Sequence, residues 1–211
     1  MRNGALIYLI GPSGVGKDSL LTALRQIHVA GTENLLIARR YITRPLNPQD
    51  AEQHIPLHEE EFRMRQQYGL FALDWRAHGY AYAVGVEIDA WMEKGFFVIV
   101  NGSRQYLPEA RQKYAGQLHP VCLTVSADTL RKRLVARGRE NAEQIERRMQ
   151  RALKYQDGLP GDCLYLHNEG DILDMTLNFL RLLRDIALRR RAHPFPAAHT
   201  LPKALWEGHP L

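Results

Sequence analysis

The sequence predicts an α/β protein with a parallel sheet core and helices on both faces. Short apolar runs alternate with amphipathic stretches along the chain, which is the pattern of strands joined by helical crossovers. The first apolar run, Ala5–Ile10, leads into a glycine-rich loop and then into a segment with leucines at helical spacing. The length of 211 residues suits one domain of this class.

Composition narrows the classes of ligand. The chain is 45% hydrophobic and 24% charged, as in ordinary folded proteins, and its apolar runs are too short to span a bilayer. The two cysteines, Cys122 and Cys163, have no metal-ligand spacing, and no secretory signal precedes the first strand, so we expect a cytoplasmic protein. With 28 basic and 23 acidic residues the net charge is +5, and no nucleic-acid motif accompanies it. We expect small anionic ligands, with no nucleic acid or membrane partner.

The periodicity assigns the individual elements. Strands are predicted at residues 5–10, 35–41, 96–100, 121–125 and 163–167, with a hairpin formed by 70–75 and 80–84. Helices are predicted at residues 17–28, 58–67, 87–94, 108–114, 127–137, 141 to about 155, and 172–190. Residues 43–56 contain three prolines and are predicted to form a loop, and the proline-containing tail 192–211 is predicted to be irregular.

The strongest motif is the glycine-rich loop between the first strand and the first helix. It consists of Gly11, Pro12, Ser13, Gly14, Val15, Gly16 and Lys17. Glycines let successive backbone N–H groups converge on phosphate oxygens, the helix N-terminus adds positive potential, and the lysine reaches the β- and γ-phosphates. A phosphate-binding P-loop is therefore predicted here, in the strand-and-helix context that this motif requires.

The position after the lysine departs from the usual P-loop. A Ser or Thr normally places a hydroxyl on Mg²⁺, but here Asp18 stands first and Ser19 follows. The apolar strand 96–100 ends at Asn101, where a metal-linked Asp is common. One interpretation is that Asp18 replaces that carboxylate at Mg²⁺, directly or through water. The other is that Asp18 only complements the helix dipole.

These residues resemble the guanylate kinase family of P-loop kinases. The loop 11–17, the segment 41–45 around Arg44, the Gly-Tyr-Ala-Tyr run 79–82 and the arginines of 133–148 look like that family's motifs. The resemblance implies a nucleoside-monophosphate-kinase-like fold in residues 1–191. It also implies an acceptor-binding insertion at about 40–90 and a lid at about 137–148.

The same resemblance implies site roles. ATP would lie on the loop 11–19 with Arg133 stacked on adenine, while Arg137 and Arg148 would neutralise the transferring phosphoryl group beside Lys17. The acceptor phosphate would be held by Arg40, Arg44 and Tyr82. Apart from the resemblance, we also expect Asn101, Ser103 and Arg104 at the acceptor, because ligands bind beyond the carboxyl ends of parallel strands. The same run could instead be only a strand-to-helix turn. For Tyr82 an ordinary core role remains open.

The guanine-reading carboxylates of the family are absent. By alignment they fall at Leu73 and Ser103, with Asp74 one position from the first. Loss of such partners costs base discrimination on the order of 10⁴-fold or more. The runs 11–19, 40–44, 82–89 and 100–104 more closely resemble the ribose 1,5-bisphosphate phosphokinases of phosphonate catabolism, which implies ATP-dependent formation of phosphoribosyl diphosphate.

Two other functions are compatible with these residues. One is a nucleoside monophosphate kinase with relaxed base choice, which the absent guanine-reading carboxylates disfavour; Asp74 could replace the first of them only if the register shifted. The other is a non-catalytic binding module on the same fold, which the intact Lys17 and the lid arginines disfavour.

Overall fold

The structure is a computed structural model that describes residues 4–29, 34–46, 53–138, 141–157 and 161–190. The predicted tail 192–211 lies outside the described residues. In chain order the elements are β1 (Ala5–Ile10), α1 (Lys17–Val29), β2 (Leu35–Ile37), β3 (Tyr41–Ile42), β4 (Ile55–Pro56), α2 (Glu59–Gln67), β5 (Phe71–Ala77), β6 (Tyr80–Gly85), α3 (Glu87–Glu93), β7 (Phe97–Asn101), α4 (Leu107–Lys113), β8 (Leu118–Thr124), α5 (Ala127–Arg137), α6 (Ala142–Asp157), β9 (Leu164–His167) and α7 (Ile172–Arg189).

The core is a five-stranded parallel sheet with the order β2-β7-β1-β8-β9. The central strand β1 is buried on both faces, which explains its continuous apolar run. Its alternate residues serve two cores. Ala5, Ile7 and Leu9 pack with α1, α5, α6 and α7, whereas Leu6, Tyr8 and Ile10 pack with α3 and α4. The predicted parallel α/β architecture is confirmed.

A second, mixed sheet lies between β2 and α3 in the chain, with the order β4-β3-β6-β5. Its β5–β6 hairpin turns at His78 and Gly79, whose φ angles of 52° and 80° are left-handed. Helix α2 covers its outer face, where the Phe62 and Phe71 rings lie 4.8 Å apart. Its inner face, with Leu73 and Trp75, joins the core above α3 and α4.

The predicted single strand at 35–41 is wrong. Strand β2 ends at Ile37, the Ala38 N–H donates to the Ile99 carbonyl at 2.9 Å, and the chain enters the second sheet at Tyr41. An apolar run shows extended backbone but not the sheet to which each part belongs, and the two exposed or half-exposed arginines between the strands mark the change. The predicted loop 43–56 likewise ends in the short strand β4.

The remaining elements agree with the prediction to within about three residues. The capping box that starts α6 is confirmed, because Asn141 and Gln144 exchange backbone-to-side-chain hydrogen bonds of 2.9 Å each. Among the residues that the structure describes, no helix has the length and apolarity needed to cross a membrane.

Candidate active site

The glycine-rich loop joins β1 to α1 at the carboxyl edge of the parallel sheet. Gly14 and Gly16 have φ angles of 91° and 100°, which side chains with a Cβ rarely adopt. The Lys17 ammonium donates to the Gly11 carbonyl at 2.6 Å and to the Pro12 carbonyl at 3.1 Å. The loop therefore bends back over its own lysine, which places a cation where the loop begins.

Asn168 supports this loop from below, and the sequence analysis did not identify it. Its side chain is buried; the Nδ2 group donates to the Val15 carbonyl at 2.7 Å, and its backbone N–H donates to Thr124 at 2.8 Å. A Cβ on Gly16 would lie 2.6 Å from Asn168 Nδ2, so the close approach requires glycine. The sequence signal is position: Asn168 directly follows β9, at the ligand-binding edge of a parallel sheet.

The lid arginines have different surroundings. Arg133 on α5 donates to Asn168 Oδ1 at 3.3 Å and to the Gly170 carbonyl at 3.1 Å, so it lies beside the loop that supports the P-loop. Arg148 on α6 donates to Ser13 Oγ at 3.2 Å, which brings its guanidinium to the tip of the P-loop. The side chain of Arg137 lies outside the described part of the chain, and its role remains a prediction.

Asp18 and Asn101 meet, as the sequence hypothesis requires. The Asn101 Nδ2 group donates to an Asp18 carboxylate oxygen at 3.4 Å, across the space between α1 and β7. Asn101 Oδ1 is buried and has no hydrogen-bond partner among the described residues. Ser19 is exposed on the first turn of α1. The Asp18 carboxylate and the Asn101 side chain, whose amide oxygen has no partner among the described residues, are therefore neighbours at the base of the P-loop.

A column of aromatic rings closes the inner side of the second sheet. The Arg40 guanidinium lies 5.2 Å from the centre of the Tyr82 ring, which stacks on Trp75 at 5.7 Å with planes 4° apart. Trp75 in turn stacks on Tyr106 at 5.7 Å. Tyr82 and Trp75 are both buried, so Tyr82 belongs to the core while it also holds Arg40 by a cation–π contact.

The positions that would read guanine have no carboxylate facing this column. Leu73 is buried in the same core as Trp75. The Asp74 side chain accepts from Gln66 of α2 at 2.6 Å, which places it on the outer face of the sheet. The Ser103 backbone exchanges hydrogen bonds with the Tyr8 hydroxyl, at 3.0 and 3.1 Å. Adjacent strand positions point to opposite faces, so Leu73 and Asp74 face different sides of this sheet.

Arg104 lies against helix α6. Its guanidinium stacks 4.1 Å from the centre of the Tyr155 ring and donates to the Tyr155 carbonyl at 2.5 Å. Burial raises the pKa of the Tyr155 hydroxyl, which is also hydrogen-bonded to the backbone of Gly11. The sequence analysis missed Tyr155, which links the start of the P-loop to the segment after β7.

Two further buried side chains, His54 and Cys122, lie near the second sheet and behind the P-loop. The Arg44 carbonyl is 2.9 Å from Nε2 of the buried His54, which fixes the backbone of the Arg44 segment. Burial raises the pKa of the Cys122 thiol to about 12, so this cysteine stays protonated and serves as core.

Comparison with known proteins agrees with this geometry. The AAA domain family model matches residues 7–154, more than half of the chain. The ribose 1,5-bisphosphate phosphokinase PhnN of Pectobacterium atrosepticum is 55% identical over 84% of this chain and 93% of its own. The protein of that name from Thiobacillus denitrificans is 43% identical over 91% of this chain and 99% of its own.

A solved structure supports the fold independently. The guanylate kinase from Anaplasma phagocytophilum matches with a TM-score of 0.64 over 88% of this chain and 87% of its own. The sequence identity is 17%, so this similarity concerns the fold alone. The fold, the P-loop and the extent of the sequence identity lead to one assignment: the chain belongs to the AAA domain family and to the ribose 1,5-bisphosphate phosphokinases.

Proposed function

We propose that this protein transfers the γ-phosphoryl group of ATP to the 1-phosphate of ribose 1,5-bisphosphate, giving 5-phosphoribosyl 1-diphosphate and ADP, in phosphonate catabolism. The observation that carries the proposal is the identity of 43% to 55% with relatives named for this activity, over at least 84% of the chain. The geometry around the P-loop adds physical reasons for a base-free, phosphorylated acceptor.

The P-loop is the donor site. Its backbone between Gly11 and Gly16 would hold the β- and γ-phosphates, because the loop lies at the N-terminus of α1 and Lys17 adds a cation at its start. Arg133 lies beside the loop after β9, where it would contact the adenine ring. Arg148 already reaches Ser13 and would neutralise the transferring group, together with Arg137.

The residues present fit Mg²⁺, the ion that P-loop kinases use with ATP. Hard cations prefer oxygen ligands, and Mg²⁺ is commonly bound by one or two carboxylates together with substrate phosphates. Asp18 supplies a carboxylate, Ser19 a hydroxyl, and Asn101 a buried amide oxygen without a protein partner among the described residues. When bound, Mg²⁺ would neutralise charge on the β- and γ-phosphate oxygens.

The acceptor side fits a phosphorylated sugar better than a nucleotide. Arg40 and Arg44 supply cations, Tyr82 orients Arg40, and Asn101 and Ser103 lie at the carboxyl end of β7, between the two sheets. At the two positions 73 and 74, the buried Leu73 and the Asp74 carboxylate bound to Gln66 offer no carboxylate on the inner face to read guanine. Arg104 would act on the acceptor from its place beside Tyr155.

The transfer step needs little covalent help from the protein. An anionic oxygen of the acceptor 1-phosphate attacks the γ-phosphorus, and the bond from that phosphorus to the β–γ bridging oxygen breaks with its electrons leaving on ADP. The attacking oxygen carries no proton, so a general base is unnecessary. The cations overcome the repulsion between two polyanions and align them.

The same proposal assigns the parts of the chain. Residues 1–191 form one kinase domain, with the second sheet as the acceptor-binding insertion at about 40–90 and a lid at about 137–148. The tail 192–211, which the sequence predicts to be irregular, is assigned outside this domain. The substrates are a small phosphorylated sugar and ATP, and the expected compartment is the cytoplasm.

An ATP-coupled acceptor panel tests the proposal. Ribose 1,5-bisphosphate, GMP, AMP and ribose 5-phosphate are compared at equal concentrations with Mg²⁺. We expect turnover of ribose 1,5-bisphosphate at least about a hundredfold faster than of any nucleotide. Comparable or faster turnover of GMP would support the nucleotide kinase instead, and the absence of all turnover would reject both.

A further inference from the structure

A narrow cleft leads from the base of the P-loop along helix α1, and its far end is rich in arginine. It is lined on one side by Asp18, Leu21 and Arg25, and on the other by Arg39, Arg40 and Gln53. Asp18, Leu21 and Arg25 follow i, i+3, i+7 spacing, so they lie on one face of the helix. The cleft thus has one end at the proposed metal and transfer site and the other end at Arg25.

The walls of this cleft are fixed by the backbone. The Ala38 N–H donates to the Ile99 carbonyl at 2.9 Å, which holds the segment 38–40 beside β7, two residues before Asn101. The Arg40 carbonyl accepts from the Ile55 N–H at 2.8 Å, which ties the same segment to β4 next to Gln53. Arg39 and Arg40 are therefore held opposite α1, in the segment that joins the two sheets.

The charge along the cleft is uneven. Its described lining holds one carboxylate, Asp18, at the P-loop end, and three guanidinium groups, those of Arg25, Arg39 and Arg40. Arg40 is oriented by the Tyr82 ring, near the transfer end. Arg25 and Arg39 have no part in the site that the sequence predicts, and they would repel a cation but attract a second phosphate.

The span of the helix residues that line the cleft matches a sugar with a phosphate at each end. Seven residues of helix separate Asp18 from Arg25, which is about 10 Å along the axis. A pentose bisphosphate spans a distance of this order, whereas the reacting phosphate alone would use only the end near Asp18. The cleft holds about 10 Å³ in this structure, room for one water molecule, so ligand entry requires the arginine side chains to move apart.

We infer that Arg25 and Arg39 form a subsite for the second, non-reacting phosphate of the acceptor. This inference rests on the proposed function for the identity of the acceptor. The subsite selects a sugar that carries a phosphate on the carbon remote from the one that reacts. Arg25 and Arg39 are binding residues that act by charge and by the bidentate geometry of guanidinium groups.

Binding measurements on the full chain test the inference without turnover. The dissociation constant of ribose 1,5-bisphosphate is measured directly by titration calorimetry. That of ribose 1-phosphate is measured by competition with the bisphosphate. Arg25→Gln and Arg39→Gln are compared with the wild type. Arg63→Gln serves as the matched control, because Arg63 is a surface arginine of α2 paired with Glu59.

The ratio of the two dissociation constants reports the contribution of the second phosphate. We expect Arg25→Gln and Arg39→Gln each to weaken ribose 1,5-bisphosphate binding at least about tenfold, with ribose 1-phosphate changed less than about twofold. Arg63→Gln should change neither ligand. Arg25→Lys should retain part of the preference for ribose 1,5-bisphosphate over ribose 1-phosphate. Thermal unfolding should show that all variants are folded.

Equal weakening of both ligands, or no weakening of either, would overturn the subsite. The proposed function is judged separately by the turnover of the wild type: a wild type that fails to phosphorylate ribose 1,5-bisphosphate rejects the function, whereas an unchanged ratio in an active enzyme rejects only the subsite.

Discussion

The proposed donor and acceptor halves of the site are built in different ways. The donor half is one continuous loop whose backbone curves around Lys17, and a single buried side chain, Asn168, supports it from below. The acceptor half is assembled from side chains on separate elements, including Arg40 after β2, Trp75 on β5 and Tyr82 on β6. The first depends on backbone conformation and the second on packing between two sheets.

This difference sets how each half can change. A backbone cradle accepts any polyphosphate but tolerates few substitutions, because its φ angles and close contacts exclude side chains. A wall of side chains can be altered one residue at a time without loss of the fold. Acceptor choice is therefore expected to vary among kinases of this fold, while donor binding stays constant.

The largest effect is expected at the lysine of the donor loop. Lys17→Ala removes the cation that contacts Gly11 and Pro12 and would face the phosphates, so turnover should fall by more than roughly a hundredfold. Circular dichroism should show the fold unchanged. Lys132→Ala, at an exposed position of α5, is the control. Activity of the Lys17 variant within a few-fold of the wild type would contradict its assigned role.

The next effect is expected at the support of the donor loop. Asn168→Ala leaves the buried Val15 carbonyl without its donor, which should lower the free energy of unfolding by about 1 to 3 kcal/mol. The KM for ATP should rise more than the KM for the acceptor. Urea unfolding and initial rates measure both quantities, with the exposed Asn178→Ala as the control. If the KM for the acceptor rises as much as the KM for ATP, Asn168 does not act on the donor half alone.

The aromatic column on the acceptor side should give a smaller effect, on the KM for the acceptor rather than on the KM for ATP. Trp75→Leu keeps an apolar side chain but removes the ring that stacks on Tyr82 and Tyr106. Arg40 then loses its fixed support, so the acceptor KM should rise several-fold while the KM for ATP stays constant. Phe62→Leu removes a buried ring on the outer face of the same sheet and should leave both constants unchanged. If the Trp75 and Phe62 variants have the same acceptor KM, the aromatic column serves only as hydrophobic core.

The smallest effect is expected far from both halves, at the amino edge of the parallel sheet. Burial, with the nearby Arg190, lowers the pKa of His119 to about 4, so the folded protein keeps this imidazole neutral. Between pH 4 and about 6.5 the unfolded chain binds a proton that the folded chain does not. Stability should therefore fall as the pH drops through this range, by on the order of 1 to 3 kcal/mol.

Urea unfolding at pH 7 and pH 5 measures this dependence in the wild type and in His119→Gln. The variant should lose that part of the pH dependence, and its kinetic constants at pH 7 should match those of the wild type. An equally steep pH dependence in both proteins would assign the effect to other groups.

The sequence predicted the parallel core and the donor loop well because their signals are local. A glycine-rich run between an apolar strand and an amphipathic helix specifies its own conformation. The break between β2 and β3 was not predicted, since the run from 35 to 41 reads as extended throughout and only pairing reveals two sheets.

The acceptor side was predicted less completely because its geometry depends on partners remote in the chain. The sequence analysis connected Asp18 and Asn101 through a metal ion; the two side chains are in contact, and the metal ligation stays a prediction. It gave no sign that Asp74 turns outward to Gln66 or that Arg104 lies on Tyr155, 51 residues away. Asn168 was missed although its place after β9 was a usable signal.

The most direct test is a competition between the two classes of acceptor in one reaction mixture. The protein, Mg²⁺ and ATP are mixed with equal amounts of ribose 1,5-bisphosphate and GMP, and phosphorus-31 NMR follows the products. The account predicts that the 1-phosphate signal is replaced by the coupled pair of signals of a sugar diphosphate while the GMP signal persists. Conversion of GMP to GDP with the sugar bisphosphate untouched would contradict it.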